Sequence, residues 1–570
     1  RIHEKQSLIL VNMKKILLYT FFFALSLQIF AQTASQNVET EEEIELPDVT
    51  TVVNGKTFTI GKDSVPDYTK ILPESNAPSV TFPSVEENPG QRENGTPSGR
   101  KDDKIKDIYA EGELGAGYPF YFKGDFSIYR ASGDSPFEID FNHESAEGFA
   151  GKKANEGYFS RNTSVRGEKS LFGSLGKHHG SAEYKMSDDG LQLKSDSYSD
   201  MVKHTISGEI ASSWELGNGI LIDYGADAAW FNRYGEVLSA SDPEDNYEKI
   251  TKIVDVNPFI GFGWHGNGFK AMLTSFYGFQ GNLEKSGNLL EIENSSNKDA
   301  SHRGQFKLAL SWENDKLALG ADGSLIIGTA TGKKDILPAF TAKLDFKTEA
   351  FTEDRYFQLS ARGGLDSYQE KIRNLENLYR YAICAAIPSE TTDYFASVNL
   401  KVPLLSACEL TGGFEFKKTA FENYLWQALY TEKLASSGLY VVAPSERTEY
   451  NSNLGFSLDF SPVKAGLEWK ACWKDVPVIE DEHKIKASIS YQDSQAKLDA
   501  GTSAAFAFGD EADRCPDISL WAGIRLAPAL SLALELNDVI KLFGNSSRDF
   551  AHSEFITTSG NAVLLAKFQF

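Results

Sequence analysis

Asn561-Ala-Val-Leu-Leu-Ala-Lys-Phe-Gln-Phe570 is the stretch that decides the fold. Ala562, Leu564, Ala566, Phe568 and Phe570 fall on one side of an extended chain. Val563, Leu565, Lys567 and Gln569 fall on the other. A period of two is the signature of a strand whose faces meet different surroundings. The first face suits lipid, and the second suits a wet or packed interior.

The same alternation recurs upstream. In His302–Asn314, Gly304, Phe306, Leu308, Leu310 and Trp312 share a face opposite Arg303, Gln305, Lys307, Ser311 and Glu313. Phe340, Ala342, Leu344 and Phe346 alternate with Lys343, Asp345 and Lys347. Tyr394, Ala396, Val398, Leu400 and Val402 alternate with Asp393, Ser397, Asn399 and Lys401. Ile485, Ala487, Ile489 and Tyr491 alternate with Lys484, Lys486, Ser488 and Ser490. Such runs are about ten residues long, the length at which a tilted strand crosses a bilayer.

A soluble sandwich also alternates, but the connections separate the two architectures. Short ones, rich in turn-forming residues, are expected at Ala131–Ser135, Gly217–Gly219, Gly266–Gly268, Asn314-Asp315, Leu405–Ala407, Ser461–Val463 and Ala527–Ala529. Between them lie long polar stretches: Asn232–Lys249, Gly281–Ser301, Asp366–Thr391, Lys418–Arg447 and Asn537–Ser559. Short turns at one end and long loops at the other mark an outer-membrane barrel. Residues 107–570 are therefore expected to form an all-β, transmembrane, antiparallel up-and-down β-barrel. It should have about 22 strands, within roughly 16–22, with short periplasmic turns and longer extracellular loops. Tyr368, Ile372, Leu375, Leu378, Tyr379 and Ala382 have helical spacing, which predicts a helix inside one extracellular loop.

Composition agrees once the barrel is considered. Hydrophobic residues make up 41% of the 570, and the mean hydropathy is -0.33. A barrel strand turns only alternate residues to lipid, so its average stays low. After the N-terminal segment no apolar run is long enough for a membrane helix. A formal net charge of -23 excludes nucleic acid as a partner, since phosphate binding needs a basic surface. Cys384, Cys408, Cys472 and Cys515 are too widely spaced for a metal motif and read as structural or incidental thiols.

Residues 1–31 read as upstream sequence plus a signal peptide that starts at Met13. Met13-Lys14-Lys15 supplies positive charge, Ile16–Phe30 is almost wholly apolar, and cleavage is expected between Ala31 and Gln32. No Cys follows the cleavage point, so a lipid anchor is not indicated. Residues 32–106 are rich in Pro and acidic residues and lack periodicity, and are expected to be a flexible periplasmic segment.

The final strand, with Leu564, Ala566, Phe568 and Phe570 on one face, resembles the C-terminal assembly signal of outer-membrane proteins. That resemblance implies the barrel-assembly machinery and outer-membrane lipid as partners. Leu530–Asp538 followed by Ser559–Phe570 resembles the end of a TonB-dependent receptor barrel. Leu46, Pro47, Asp48, Val49, Thr50, Thr51, Val52 and Val53 resemble a TonB box, a β-prone peptide that adds to its partner's sheet edge. The resemblance implies TonB as a periplasmic partner. It departs from the family in one respect: residues 54–106 are too few and too Pro-rich for a folded plug domain. Either the barrel lacks a plug, or this short segment threads the lumen.

Three functions compete. The first is a transporter or channel for small solutes in the bacterial outer membrane. Its lumen-facing candidates Lys123, Asp125, Arg303, Lys307, Lys343, Asp345, Asn399 and Lys401 mix both signs. The second is a surface scaffold or adhesin that works through its loops. The third is a membrane-embedded hydrolase. His143-Glu144, His178-His179 and His204 sit in no catalytic motif, so no enzyme activity, metal or cofactor is expected.

Overall fold

The computed structural model describes residues 108–569, except 131–134, 174–175, 239–246, 284–299, 330–334, 350–354, 385, 422–424, 434–437, 494–496, 510–511 and 559. The signal peptide, the segment 32–106, the stretch Leu46–Val53 and the terminal Phe570 lie outside the described residues. Twenty-two antiparallel strands form one closed sheet, the number expected from the sequence. The first, β1 (Tyr109–Tyr118), pairs with the last, β25 (Asn561–Gln569), in the register Leu114↔Ala566 and Tyr118↔Ala562. Closure leaves no sheet edge, which a bilayer demands because it offers no water to unpaired backbone groups.

The connections segregate by length as expected. Every short turn read from the sequence joins strands at one end of the barrel, and every long loop joins them at the other. Local chemistry fixes the turns. Between β8 (Tyr247–Gly266) and β9 (Phe269–Asn282), Asn267 and Gly268 have φ of 51° and 77°. This left-handed pair makes a tight hairpin whose twist matches its strands. Between β10 (Ala300–Glu313) and β11 (Leu317–Gly328), the Asn314 side chain accepts the Lys316 and Leu317 N–H groups, each at 2.9 Å.

The two faces of the wall separate cleanly. On β25, Leu564 is 58% exposed while its neighbour Leu565 is fully buried among Tyr121, Ala146 and Val563. Phe306, Leu308, Phe340, Val398 and Ile489 are likewise exposed on the outside. Trp214, Trp264 and Phe269 are exposed on the outside next to the short turns of β6, β8 and β9. Outward apolar side chains with aromatics near the turns fit a barrel set in a bilayer. Near the chain's ends the wall is low, with β24 (Leu530–Asn537) only eight residues long. Farther round, β6 (Tyr198–Leu216), β7 (Ile220–Val237) and β8 have 19, 18 and 20 residues. The stretch 232–249 is therefore strand for much of its length.

Three short strands stand outside the barrel sheet: β14 (Ala382–Cys384), β17 (Leu425–Lys433) and β18 (Tyr440–Ser445). With helix α1 (Ile372–Leu378) they form a small folded body. The helix expected between 368 and 382 is thus present, and it faces inward.

Candidate functional site

The long loops fold back over the barrel mouth and build a lid whose apolar core it shares with the tall wall, where Tyr198, Met201, Phe231, Ile250 and Ile253 join the same cluster. The connection from β13 (Tyr356–Gln369) to β15 (Glu390–Leu405) supplies α1 and β14, contributing Ile372, Leu375, Ile383 and Tyr381. The connection from β16 (Cys408–Thr419) to β19 (Thr448–Phe460) supplies β17 and β18, contributing Trp426, Ala428, Leu439 and Val442. The stretch before β25 adds Phe555, whose ring stacks on Tyr381 at 3.9 Å. Gln192, from the connection before β6, exchanges two hydrogen bonds with the Ile556 backbone, at 2.8 and 3.0 Å. Loops usually run over the surface because their backbone needs water or partners. Here the sheet pairing β14–β18–β17 and the wall supply those partners.

Charged groups dock the lid onto the tall side of the wall. Lys203 donates to the carbonyls of Glu376 and Arg380 at 2.7 and 3.1 Å. Arg233 donates to the Glu376 carboxylate at 3.1 Å and to the Ala382 carbonyl at 2.6 Å. The other Glu376 oxygen accepts the Cys384 N–H at 3.0 Å. Arg233 and Glu376 are both fully buried. Next to them Arg373 pairs with Asp255 at 3.0 Å, and Lys371 donates to Asn257 at 2.9 Å. Cations placed against the C-terminal carbonyls of α1 also complement its dipole. Burial pushes the Cys384 thiol well up, so it stays protonated as a packed, inert group.

Beneath the lid lies a cavity of about 1030 Å³, walled by the barrel and roofed by α1 and β17. At one edge sits Glu370. Burial pushes its carboxyl up to about 7, with Asp393 adding to the shift and Arg447 opposing it. Glu480 is raised as well, first by burial and then by Glu449. The cavity holds both signs of charge, largely paired. Arg447 pairs with Glu449, Arg380 with Asp189 at 3.6 Å, and Arg362 with Glu415 at 3.7 Å.

The lumen residues expected from the sequence also find partners within the wall. Lys123 meets Glu113 at 2.5 Å, Lys307 meets Asp322 at 3.4 Å and Lys343 meets Asp345 at 2.8 Å. Lys401 meets Glu409 at 2.9 Å, Arg303 meets Glu390 at 3.3 Å, and Asp125 accepts a long bond from Asn142 at 3.5 Å. Asn399 alone among them lines the cavity. Leu564, Ala566 and Phe568 share the outer face of β25, where they were expected.

The histidines are dispersed. His178 meets Ser212 and His179 meets Ser170 from opposite faces of one strand, His143 meets Thr163, and His204 meets Tyr184. Among the described residues no group of three or more His, Cys, Asp or Glu is placed to hold a metal. Reading the sequence missed the whole docking set of Lys203, Arg233, Asp255 and Glu376. The one available signal was charge on the inner face of strands that overrun the membrane span.

No protein-family model and no curated protein sequence matches this chain. Solved structures do. The FrpB iron transporter from Neisseria meningitidis superposes with a TM-score of 0.60 over 82% of each chain at 11% identity. The copper transporter OprC gives 0.58 over 81% of this chain and 80% of that one, at 9%. A ferric enterobactin receptor (PfeA) mutant from Pseudomonas aeruginosa gives 0.57 with the same shares and identity. At such identities the likeness concerns the fold. It is the barrel of TonB-dependent receptors, as the last forty residues suggested, and it is an architecture of the bacterial outer membrane.

Proposed function

We propose that this chain carries small hydrophilic solutes across the bacterial outer membrane through its lumen, with the infolded lid controlling admission. The observation that carries this reading is the cavity, lined by many polar side chains, beneath a lid docked on the tall wall. A bare scaffold has no need to seal its mouth, and a surface binder would extend these loops outward instead. Named relatives in fold are iron and copper transporters, which supports passage through the barrel without indicating its cargo.

On this reading Leu46–Val53 engage TonB, which would pull on the N-terminal segment to energise opening. Residues 1–31 direct export, and the mature chain starts at Gln32. Leu564, Ala566, Phe568 and Phe570 present the strand that the barrel-assembly machinery receives. The chain acts as a carrier and performs no covalent chemistry.

Lid removal tests the reading. Replacing residues 371–388 by a short Gly-Ser link should leave a folded, heat-modifiable barrel. In planar bilayers the wild-type chain should show small, infrequent conductance steps, and the lidless chain large, persistent ones. A lidless barrel that folds and conducts no more than the wild type would overturn the proposal.

A further inference from the structure

The cavity's charges neutralise one another, which leaves its uncharged polar groups to define what it can hold. Five wall amides line it; Asn142 and Asn451 are engaged by Asp125 and Glu449, which leaves Asn162, Asn399 and Asn453, and three more come from the lid, Asn374, Asn377 and Gln427. Among the described residues none of these six side chains hydrogen-bonds to another side chain or to backbone. Their neighbours are engaged: Arg447 with Glu449, Arg362 with Glu415, and Trp426 Nε1 with Ser389 at 3.4 Å. A free carboxamide offers two donors and an acceptor in one plane with no net charge. Its complement is a pair of neighbouring hydroxyl groups, each both donor and acceptor.

A small residue makes two of these amides converge. A Cβ built on Gly413 would lie 2.5 Å from Asn399 Oδ1 and 2.9 Å from Asn453 Oδ1. The absence of a side chain there lets both amides lean into the same space. An ionic solute would need unpaired countercharge, and the cavity's charges are largely paired; Phe414, Trp426 and Tyr379 add apolar faces beside the amides, and the volume is at the upper end of ordinary ligand pockets.

We infer that the cavity beneath the lid is a binding site for a neutral, polyhydroxylated solute such as a short oligosaccharide, read by Asn399 and Asn453 from the wall and by Asn374, Asn377 and Gln427 from the lid. This rests on the reading that solutes pass through the lumen, but its test can be separated from it. The full chain is placed in lipid nanodiscs and probed by saturation-transfer NMR with maltotriose, raffinose, cellotriose and mannotriose, alongside trilysine and triglutamate. In parallel, proteoliposomes are assayed for uptake of the same probes.

At least one saccharide should bind while neither charged peptide does. The double substitution Asn399→Leu/Asn453→Leu should weaken that binding about tenfold, the loss expected for two neutral hydrogen bonds. Gly413→Ala, which displaces both amides from beneath, should weaken it in the same direction and covers the case in which the double variant fails to fold. Saccharide binding that depends on these amides, without any uptake, upholds the site and overturns passage. Uptake of charged peptides as readily as saccharides overturns the site and upholds passage. Binding of no saccharide, or binding untouched by both variants, overturns the inference outright.

Discussion

The wall and the lid obey opposite rules. Along much of the wall apolar side chains point out and polar ones point in: Leu308 is exposed, and the adjacent Lys307 pairs with Asp322 inside. The lid is an ordinary globular fold in miniature, with Ile383, Leu439 and Phe555 wholly buried at its centre. Lid and wall meet through Arg233, Lys203 and Glu376 and through an apolar seam in which Met201, Phe231, Ile250 and Ile253 of the tall wall pack against the lid's residues. The wall therefore draws its stability from lipid and a closed ladder of backbone bonds. The lid draws its own from a small apolar cluster shared with β6–β8 and from a few buried ions. That contrast makes the lid the part able to come undone while the barrel stays whole.

The sharpest way to break the comparison is Glu376→Ala. It leaves Arg233 and Lys203 adjacent and buried with no anion between them, which costs about 3–5 kcal/mol for a broken buried pair. Hydrogen exchange across residues 370–389 should rise steeply, while exchange in β1 and β25 stays put. Unchanged protection of the loop would mean that the apolar core alone holds the lid. The wall has its own vulnerable face. Leu308→Arg, mid-strand and outward, should cost about 2–4 kcal/mol in urea titrations of folding into liposomes. Ser311→Arg, on the inner face of the same strand, should shift the midpoint far less. Equal losses would contradict the assignment of faces.

The same contrast explains what could be read from the sequence. The wall was legible because each strand carries its own evidence: a two-residue period, a span of about ten residues and a turn such as Asn267-Gly268. Helix α1 was legible from local spacing too. The lid's position was not. Lys203 and Glu376 are 173 residues apart in the chain, and nothing local in either marks the other as its partner. Nor did the extra strands β14, β17 and β18 announce themselves. At three to nine residues, with register breaks, they lack room for a period to show. Loop boundaries slipped in the same places, since β7 and β8 run past the membrane into what polarity alone marks as loop. The free amides were visible only one at a time: Asn399 appeared as a lumen residue, but its convergence with Asn453 over Gly413 depends on three strands.

Acidity offers the gentlest way to separate lid from wall. Glu370 sits where β13 leaves the barrel for α1, facing Arg447 and Asp393, and burial raises its carboxyl from 4.5 to about 7. An opened lid would hydrate it and return it to its ordinary value. The closed state therefore binds the extra proton, so its stabilisation is complete below about 4.5 and is lost as pH rises to about 7. At roughly 1.4 kcal/mol per pH unit the whole effect is bounded near 3 kcal/mol. Exchange in residues 370–389, corrected for the intrinsic rate, should thus quicken from pH 5 to pH 7 and level off above. Exchange in the barrel strands should follow the intrinsic rate alone. Glu370→Gln keeps the shape without the titration and should flatten the loop's profile. A loop that instead tightens as pH rises would show that ion pairs formed by the deprotonated group, with Arg447 foremost, outweigh the cost of burying its charge.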